Sequence, residues 1–211
     1  MIEHLKKKYI NWRYPIPVIS AREICPKHQK VIVDYFPPES GGISGDEALF
    51  IAALVQKMQP MRILEIGTFL GRTTRLLVAN SGCMVHTLDL GEDKTTKLPA
   101  SNLALINKNR VGEAVKGSPF IEQHLGDSAT YDFKKIGFAD LFFIDGSHTY
   151  EYVKNDTEKC MAIALKKPKS IFLWHDVGPG CPGVQRYIWK LRKKGYDIKR
   201  IKNTSLGYLK L

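Results

Sequence analysis

Apolar residues along this chain change period repeatedly, and each change marks an element. Short apolar runs bounded by polar residues or glycine fall at residues 62–66, 85–90, 120–125, 140–144 and 170–174. Between them the spacing turns helical. Phe50, Ala53, Leu54 and Met58 share one face, as do Tyr150, Val153, Thr157, Cys160, Met161 and Ala164, and then Val184, Tyr187, Ile188 and Leu191. Strands alternating with amphipathic helices predict an α/β fold with a doubly wound, mostly parallel sheet. Boundary residues agree. Ser44-Gly45-Asp46-Glu47 fits a capping box, and the helix it opens runs to about Gln59, where Pro60 stops it. Another helix spans residues 72–80 and closes near Gly82; Gly195 closes the last, and residues 196–201 and 206–211 then form two short strands. Residues 1–42 are irregular, with Pro15, Pro17, Pro26, Pro37 and Pro38 between short apolar pieces. They read as an N-terminal extension or cap (1–43) ahead of one domain (44–211). The polar stretch 91–97 and the helix-like stretch 102–115 lack sharp boundaries.

The run at 62–66 enters Gly67-Thr68-Phe69-Leu70-Gly71, where glycine lets backbone pass close to a ligand. A dinucleotide fingerprint would need glycine at the positions held by Phe69 and Arg72, which disfavours NAD. The pattern Glu65-x-Gly67-x-x-x-Gly71 resembles motif I of the class I S-adenosylmethionine-dependent methyltransferases, in the Glu-Ile-Gly-Thr form of small-molecule O-methyltransferases. That resemblance covers residues 44–211 and implies a Rossmann-like sheet whose last strand is antiparallel. It also implies that Glu65, Gly67, Thr68 and Gly71 hold the methionine part of S-adenosylmethionine. Asp89 stands 22 residues beyond Gly67 at the end of the next strand, a spacing that puts a carboxylate where it can accept from ribose hydroxyls. By the same resemblance Asp127 accepts from the adenine amino group, with Ser128 beside it.

The second signal is Asp140-Leu141-Phe142-Phe143-Ile144-Asp145-Gly146-Ser147-His148-Thr149-Tyr150. Its apolar part suits a central strand buried on both faces. The sequence Ile-Asp-Gly-x-His-x-Tyr resembles motif IV of bacterial macrocin-type sugar O-methyltransferases and, more distantly, of catechol-type enzymes. The resemblance makes Asp145 a metal ligand at the reaction centre and His148 a candidate general base. Strand 170–174 ends in His175-Asp176, where the metal-dependent relatives carry two acids. Asp145, His175 and Asp176 are therefore the candidate ligands. Two acids alone suit Mg²⁺, whereas imidazole suits Mn²⁺, Fe²⁺ or Zn²⁺, or serves as a substrate contact in a metal-free site.

Composition narrows the setting. The 211 residues suffice for one domain with a sizeable core, and 44% hydrophobic with 25% charged is ordinary for a globular protein. No apolar run approaches the roughly 20 residues a spanning helix needs, and residues 1–8 are charged, so a cytoplasmic location is expected. Cys25, Cys83, Cys160 and Cys181 have no paired spacing and read as free thiols. The net charge of +11 is concentrated in residues 166–211, where twelve Lys or Arg face only Asp176 and Asp197. Such a face suits RNA, anionic substrates or an anionic membrane; the solvated reading is favoured because no RNA-binding motif accompanies it.

The expected reaction is methyl transfer to a hydroxyl, with His148 as base and any Mg²⁺ or Mn²⁺ on Asp145 and Asp176 lowering the hydroxyl pKa. Sugar hydroxyls of a glycan or natural product are the first expectation for the acceptor and catechol-like phenols the second. Residues 1–42 and the loop 177–183 shape its pocket. Related enzymes also use their N-terminal segments for subunit contacts, so a homo-oligomer is one state open to the chain. Two other readings stay open: an RNA methyltransferase, which lacks its usual Asn-Pro-Pro-Tyr motif here, and a catalytically idle cofactor-binding protein.

Overall fold

The computed structural model describes residues 2–27, 29–33, 41–90, 95–101, 103–105, 110–165 and 170–211. Among these residues eight strands form one sheet: β1 (Val18–Ile19), β2 (Arg62–Ile66), β3 (Met84–Asp89), β4 (Ile121–Leu125), β5 (Leu141–Ile144), β6 (Ile171–Trp174), β7 (Lys199–Ile201) and β8 (Gly207–Lys210). Their order is β1-β7-β8-β6-β5-β2-β3-β4. Pairs from β4 through to β6 are parallel, while β8 runs antiparallel to both β6 and β7, as the resemblance implied. The chain moves outward from β2 to β3 and β4, then returns to the other side of β2 with β5. That reversal opens a crevice at the carboxyl ends of β2 and β5.

Among the described residues six helices accompany the sheet: α1 (Ile2–Arg13), α2 (Ala21–Ile24), α3 (Gly45–Met58), α4 (Arg72–Ser81), α5 (Tyr150–Ile163) and α6 (Pro182–Lys193). The two-residue period of the strands sorts their side chains between two cores. Ile63, Val85, Leu141, Phe143, Ile171 and Leu173 pack with Ile51, Leu54 and Leu77 of α3 and α4. Leu64, Ile66, Phe142, Ile144, Phe172 and Trp174 pack with Val153 of α5 and Tyr187, Ile188 and Leu191 of α6. β5 and β6 are buried at every position, because both faces are covered. Trp174 tolerates complete burial because its indole N–H donates to Thr157 Oγ1 at 2.9 Å.

The expected capping box opens α3: Ser44 Oγ accepts from Glu47 N, and Glu47 Oε2 accepts from Ser44 N. The N-terminal stretch departs from expectation. It carries a twelve-residue helix, α1, and a strand, β1, that pairs in parallel with β7 and adds an edge to the sheet. Pro15 and Pro17 punctuate these elements rather than abolish them. Among the described residues of 102–115 there is no continuous helix but single 3₁₀ turns at Leu103–Leu105 and Glu113–Val115. Asn102 and residues 106–109 lie outside the described residues, as do 91–94 of the polar stretch, Pro37, Pro38 and 166–169 of the basic region. All four cysteines are free, as expected.

Candidate active site

The crevice at the β2/β5 reversal is a cavity of about 410 Å³. Gly67 forms its floor. At φ +97°, a Cβ there would lie 2.2 Å from the Asp145 carbonyl oxygen, so only glycine lets the β2 loop rest on the end of β5. Gly67 N donates to Leu88 O and Asp145 N donates to Ile66 O, both at 2.8 Å, locking three strand ends together. Asp89 ends β3 and lines the cavity. Its Oδ2 accepts from Phe69 N and its Oδ1 from Leu90 N, both at 2.7 Å, so it fixes the glycine loop while facing the space beyond. Burial raises its pKa against these amide bonds.

Glu65 lies elsewhere than expected. It shares the pleat face of Ile63, toward α4, is fully buried, and does not line the cavity. Its Oε2 accepts from Thr74 Oγ1 of α4 and, at 3.0 Å, from Thr87 Oγ1 of β3, while Oε1 has no partner. Burial pushes its carboxyl up to about 8. Thr68 joins this buried layer through Thr87 at 2.6 Å, and Gly71 closes the loop by donating to Thr68 O at 2.7 Å. The pleat therefore places Glu65 beneath the loop, between β2 and α4, rather than on the cavity wall.

On the β4 side Asp127 and Ser128 both line the cavity. Asp127 Oδ1 accepts from Tyr152 Oη and Ala129 N, each at 2.8 Å, and Oδ2 from Lys97 N at 2.7 Å. Ser128 Oγ donates to Asp156 Oδ1 at 2.6 Å, and burial lifts Asp156 to about 6.

The β5/β6 side gathers charge. His175, following β6, presents Nδ1 to Asp145 Oδ1 at 3.1 Å and Nε2 to Glu47 Oε2 at 3.2 Å. Carboxylates only accept, so both ring nitrogens donate and His175 is an imidazolium. Glu47 is 4% exposed, and its Oε1 accepts from Ser205 N at 2.8 Å and Ser205 Oγ at 2.7 Å. Burial alone would push Glu47 up and His175 down. The hydrogen bonds and charge between them reverse both directions, leaving Glu47 well below the carboxylate range and His175 far above the histidine range. Asp176 sits at φ +57°, a left-handed conformation rare outside glycine, with its N–H donated to Ser205 Oγ. Its Oδ2 lies 3.1 Å from His148 Nε2, and His148 Nδ1 lies 3.6 Å from Cys181 Sγ. Burial opposes charge on His148, but Asp145, Cys181 and Asp176 outweigh it and raise the ring to about 10.

Residues 64–177 match a family described as a methyltransferase domain, more than half of the 211 residues. This chain belongs to that family. It is a class I S-adenosylmethionine-dependent methyltransferase, as the glycine loop, Asp89 and the sheet order led us to expect. Solved structures share the fold. The O-methyltransferase TomG from Streptomyces achromogenes, solved with S-adenosylmethionine, is 19% identical with a TM-score of 0.55, and 81% of each chain is covered. The S-adenosylhomocysteine-bound methyltransferase PaMTH1 from Podospora anserina is 13% identical with a TM-score of 0.59, covering 99% of this chain and 86% of its own. The TDP-rhamnose 3′-O-methyltransferase CalS11 is 17% identical with a TM-score of 0.55, covering 78% and 79%. No curated protein matches the sequence.

The methyltransferase brings Asp145, His148, His175 and Asp176 together, but as an ion-pair cluster. A metal ligand must offer a lone pair, and both nitrogens of His175 already serve carboxylates. As arranged, His175 spends both nitrogens on carboxylates, although Asp145, His175 and Asp176 offer ligand atoms within 4.8 Å of one another, as do His148, Asp176 and Cys181. A third grouping, His86, Glu122 and His124, is no better suited. His86 Nδ1 and His124 Nε2 are 2.9 Å apart, their ring centroids 5.3 Å apart and their planes within 7°. These values place the nitrogens head to head on the line between the rings, a hydrogen bond that Tyr131 Oη extends at 2.7 Å to His124 Nδ1. Sequence reasoning missed Glu47, Tyr152 and Asp156 as neighbours of the site. Glu47 was legible as the third residue of the capping box, but nothing local tied it to His175, 128 residues away.

Proposed function

We propose that this methyltransferase methylates a hydroxyl oxygen of a small molecule or sugar without a divalent metal, with His148 as the base. The observation that carries this reading is the imidazole and carboxylate cluster at the ends of β5 and β6, which opens into the same cavity as the glycine loop. The cavity volume suits a ligand of cofactor size, and the Gly67 floor is a cradle a Cβ would fill. S-adenosylmethionine, when bound, supplies a methyl group already activated on a sulfonium. Asp89 and the Gly67 loop would hold the ribose and methionine ends, and Asp127 and Ser128 would bound the adenine. TomG and CalS11 are both named as O-methyltransferases, CalS11 for a sugar hydroxyl, which supports oxygen as the acceptor atom.

His148 takes the acceptor proton on Nε2 as the new O–C bond forms and the S–C bond breaks, so positive charge passes from sulfonium to imidazolium. It must first lose the proton that Asp176 holds there, while Nδ1–H keeps its place against Cys181. His175, clamped by Glu47 and Asp145, supplies the fixed positive charge that keeps these acids together without a metal. The test is methyl transfer from labelled donor to a panel of sugar, phenol and RNA acceptors, with and without chelator. Transfer to a hydroxyl that survives chelation and fails in His148→Gln supports the reading; transfer to RNA bases, or activity restored only by Mg²⁺ or Mn²⁺, overturns it.

A further inference from the structure

Helix α1 turns an apolar stripe away from the protein. Leu5, Tyr9 and Trp12 are 58%, 56% and 74% exposed, and the Tyr9 and Trp12 rings lie 6.1 Å apart. At about 100° per residue these three fall within an arc of roughly 60°. The opposite side of the helix is the one fixed to the body. Gln185 of α6 donates to Asn11 Oδ1 at 3.1 Å and to Tyr14 O at 2.8 Å, and the Tyr14 ring packs edge-on against Trp189 at 5.4 Å.

Charge selects the partner. The same helical geometry puts Lys8 on one flank of the stripe and Lys6 and Arg13 on the other, while Glu3 is paired with Lys7 at 2.9 Å. A second copy of α1 laid against the first would bring like charges together. A nucleic acid would answer the charges but leave Leu5 uncovered. An anionic bilayer answers both, with the apolar stripe in the acyl boundary and the cations at headgroup phosphates. Among the described residues no helix is long and apolar enough to cross a membrane, so the contact would be one of lying on the surface. We propose that α1 docks this protein onto an anionic lipid bilayer through Leu5, Tyr9 and Trp12, flanked by Lys6, Lys8 and Arg13. The proposal is independent of the reaction assigned to the cavity.

The experiment is sedimentation of the full chain with phosphatidylcholine vesicles, with and without phosphatidylglycerol, while tryptophan emission is recorded. Binding should require phosphatidylglycerol, shift emission to the blue and fall with salt. Leu5→Ser with Trp12→Ser should weaken it roughly tenfold or more. Lys6→Gln, Lys8→Gln and Arg13→Gln together should weaken it about a hundredfold. These exposed substitutions should leave circular dichroism and S-adenosylhomocysteine affinity unchanged. No binding to anionic vesicles, equal binding to neutral ones, or a Trp12-dependent dimer in light scattering would each overturn the proposal. So would RNA binding that displaces the vesicles.

Discussion

On the β2–β3 side of the crevice, backbone and a short acid are held by near neighbours, Phe69 by Asp89 only 20 residues on. On the β5–β6 side, side chains 128 residues apart, Glu47 and His175, trap two imidazoles among carboxylates. The first arrangement fixes shape and the second fixes charge. A shape-fixing site needs glycine and hydrogen bonds to amides; a charge-fixing site needs burial and full pairing, since a lone buried ion would be far more costly than a pair. The two should therefore fail differently.

The largest effect is expected on the shape side. Gly67→Ala forces a Cβ into the Asp145 carbonyl at a positive φ, and should cost about 3 kcal/mol or more in urea unfolding and abolish S-adenosylhomocysteine binding. On the charge side, His148→Gln should lower kcat by roughly 10²- to 10⁴-fold while leaving S-adenosylhomocysteine affinity nearly unchanged, a contrast that separates the two halves. In the parent protein the neutral ring is the base and the folded pKa is about 10. Its kcat/KM should therefore climb with pH from neutrality and level off near 10, and a profile flat from pH 7 upward would remove His148 from that role. Asp89→Ala, which deletes the acceptor for two amides, should weaken S-adenosylhomocysteine by roughly tenfold to a hundredfold, read by calorimetry.

Glu47→Gln keeps the shape but removes one of the charges clamping His175. It should cost about 1–3 kcal/mol of stability and lower kcat more than S-adenosylhomocysteine affinity. The effect expected at Glu65 shows in the pH dependence of stability rather than in activity, because its folded pKa of about 8 lies above the ordinary 4.5. The folded state then holds the extra proton, so this contribution is full below pH 4.5 and fades as pH rises toward 8. Glu65→Gln should flatten that decline in a series of unfolding curves taken across this range.

The same contrast explains what could be read from the chain. The sheet, its helices and the glycine loop follow from alternation and capping, which act within a few residues, and the family match bears out that reading. Glu65 misled because motif position says which residue precedes the glycine but not which face of the pleat it takes. Helix α1 escaped notice because its apolar stripe is largely exposed and lies among prolines and lysines that suggest irregular chain. The Glu47 clamp could not be read at all, since a capping box looks the same whether its acid ends at the surface or reaches an imidazolium across the fold.

The proposed function requires a donor site that binds its cofactor through shape and an acceptor site that works without a metal. The most direct test is calorimetric titration of chelator-treated protein with S-adenosylhomocysteine, repeated with Mg²⁺ and with Mn²⁺. Micromolar binding that is indifferent to either ion is predicted, with neither ion alone giving heat. Heat from an ion that vanishes in Asp145→Ala, or no cofactor binding by folded protein under any condition, would contradict it.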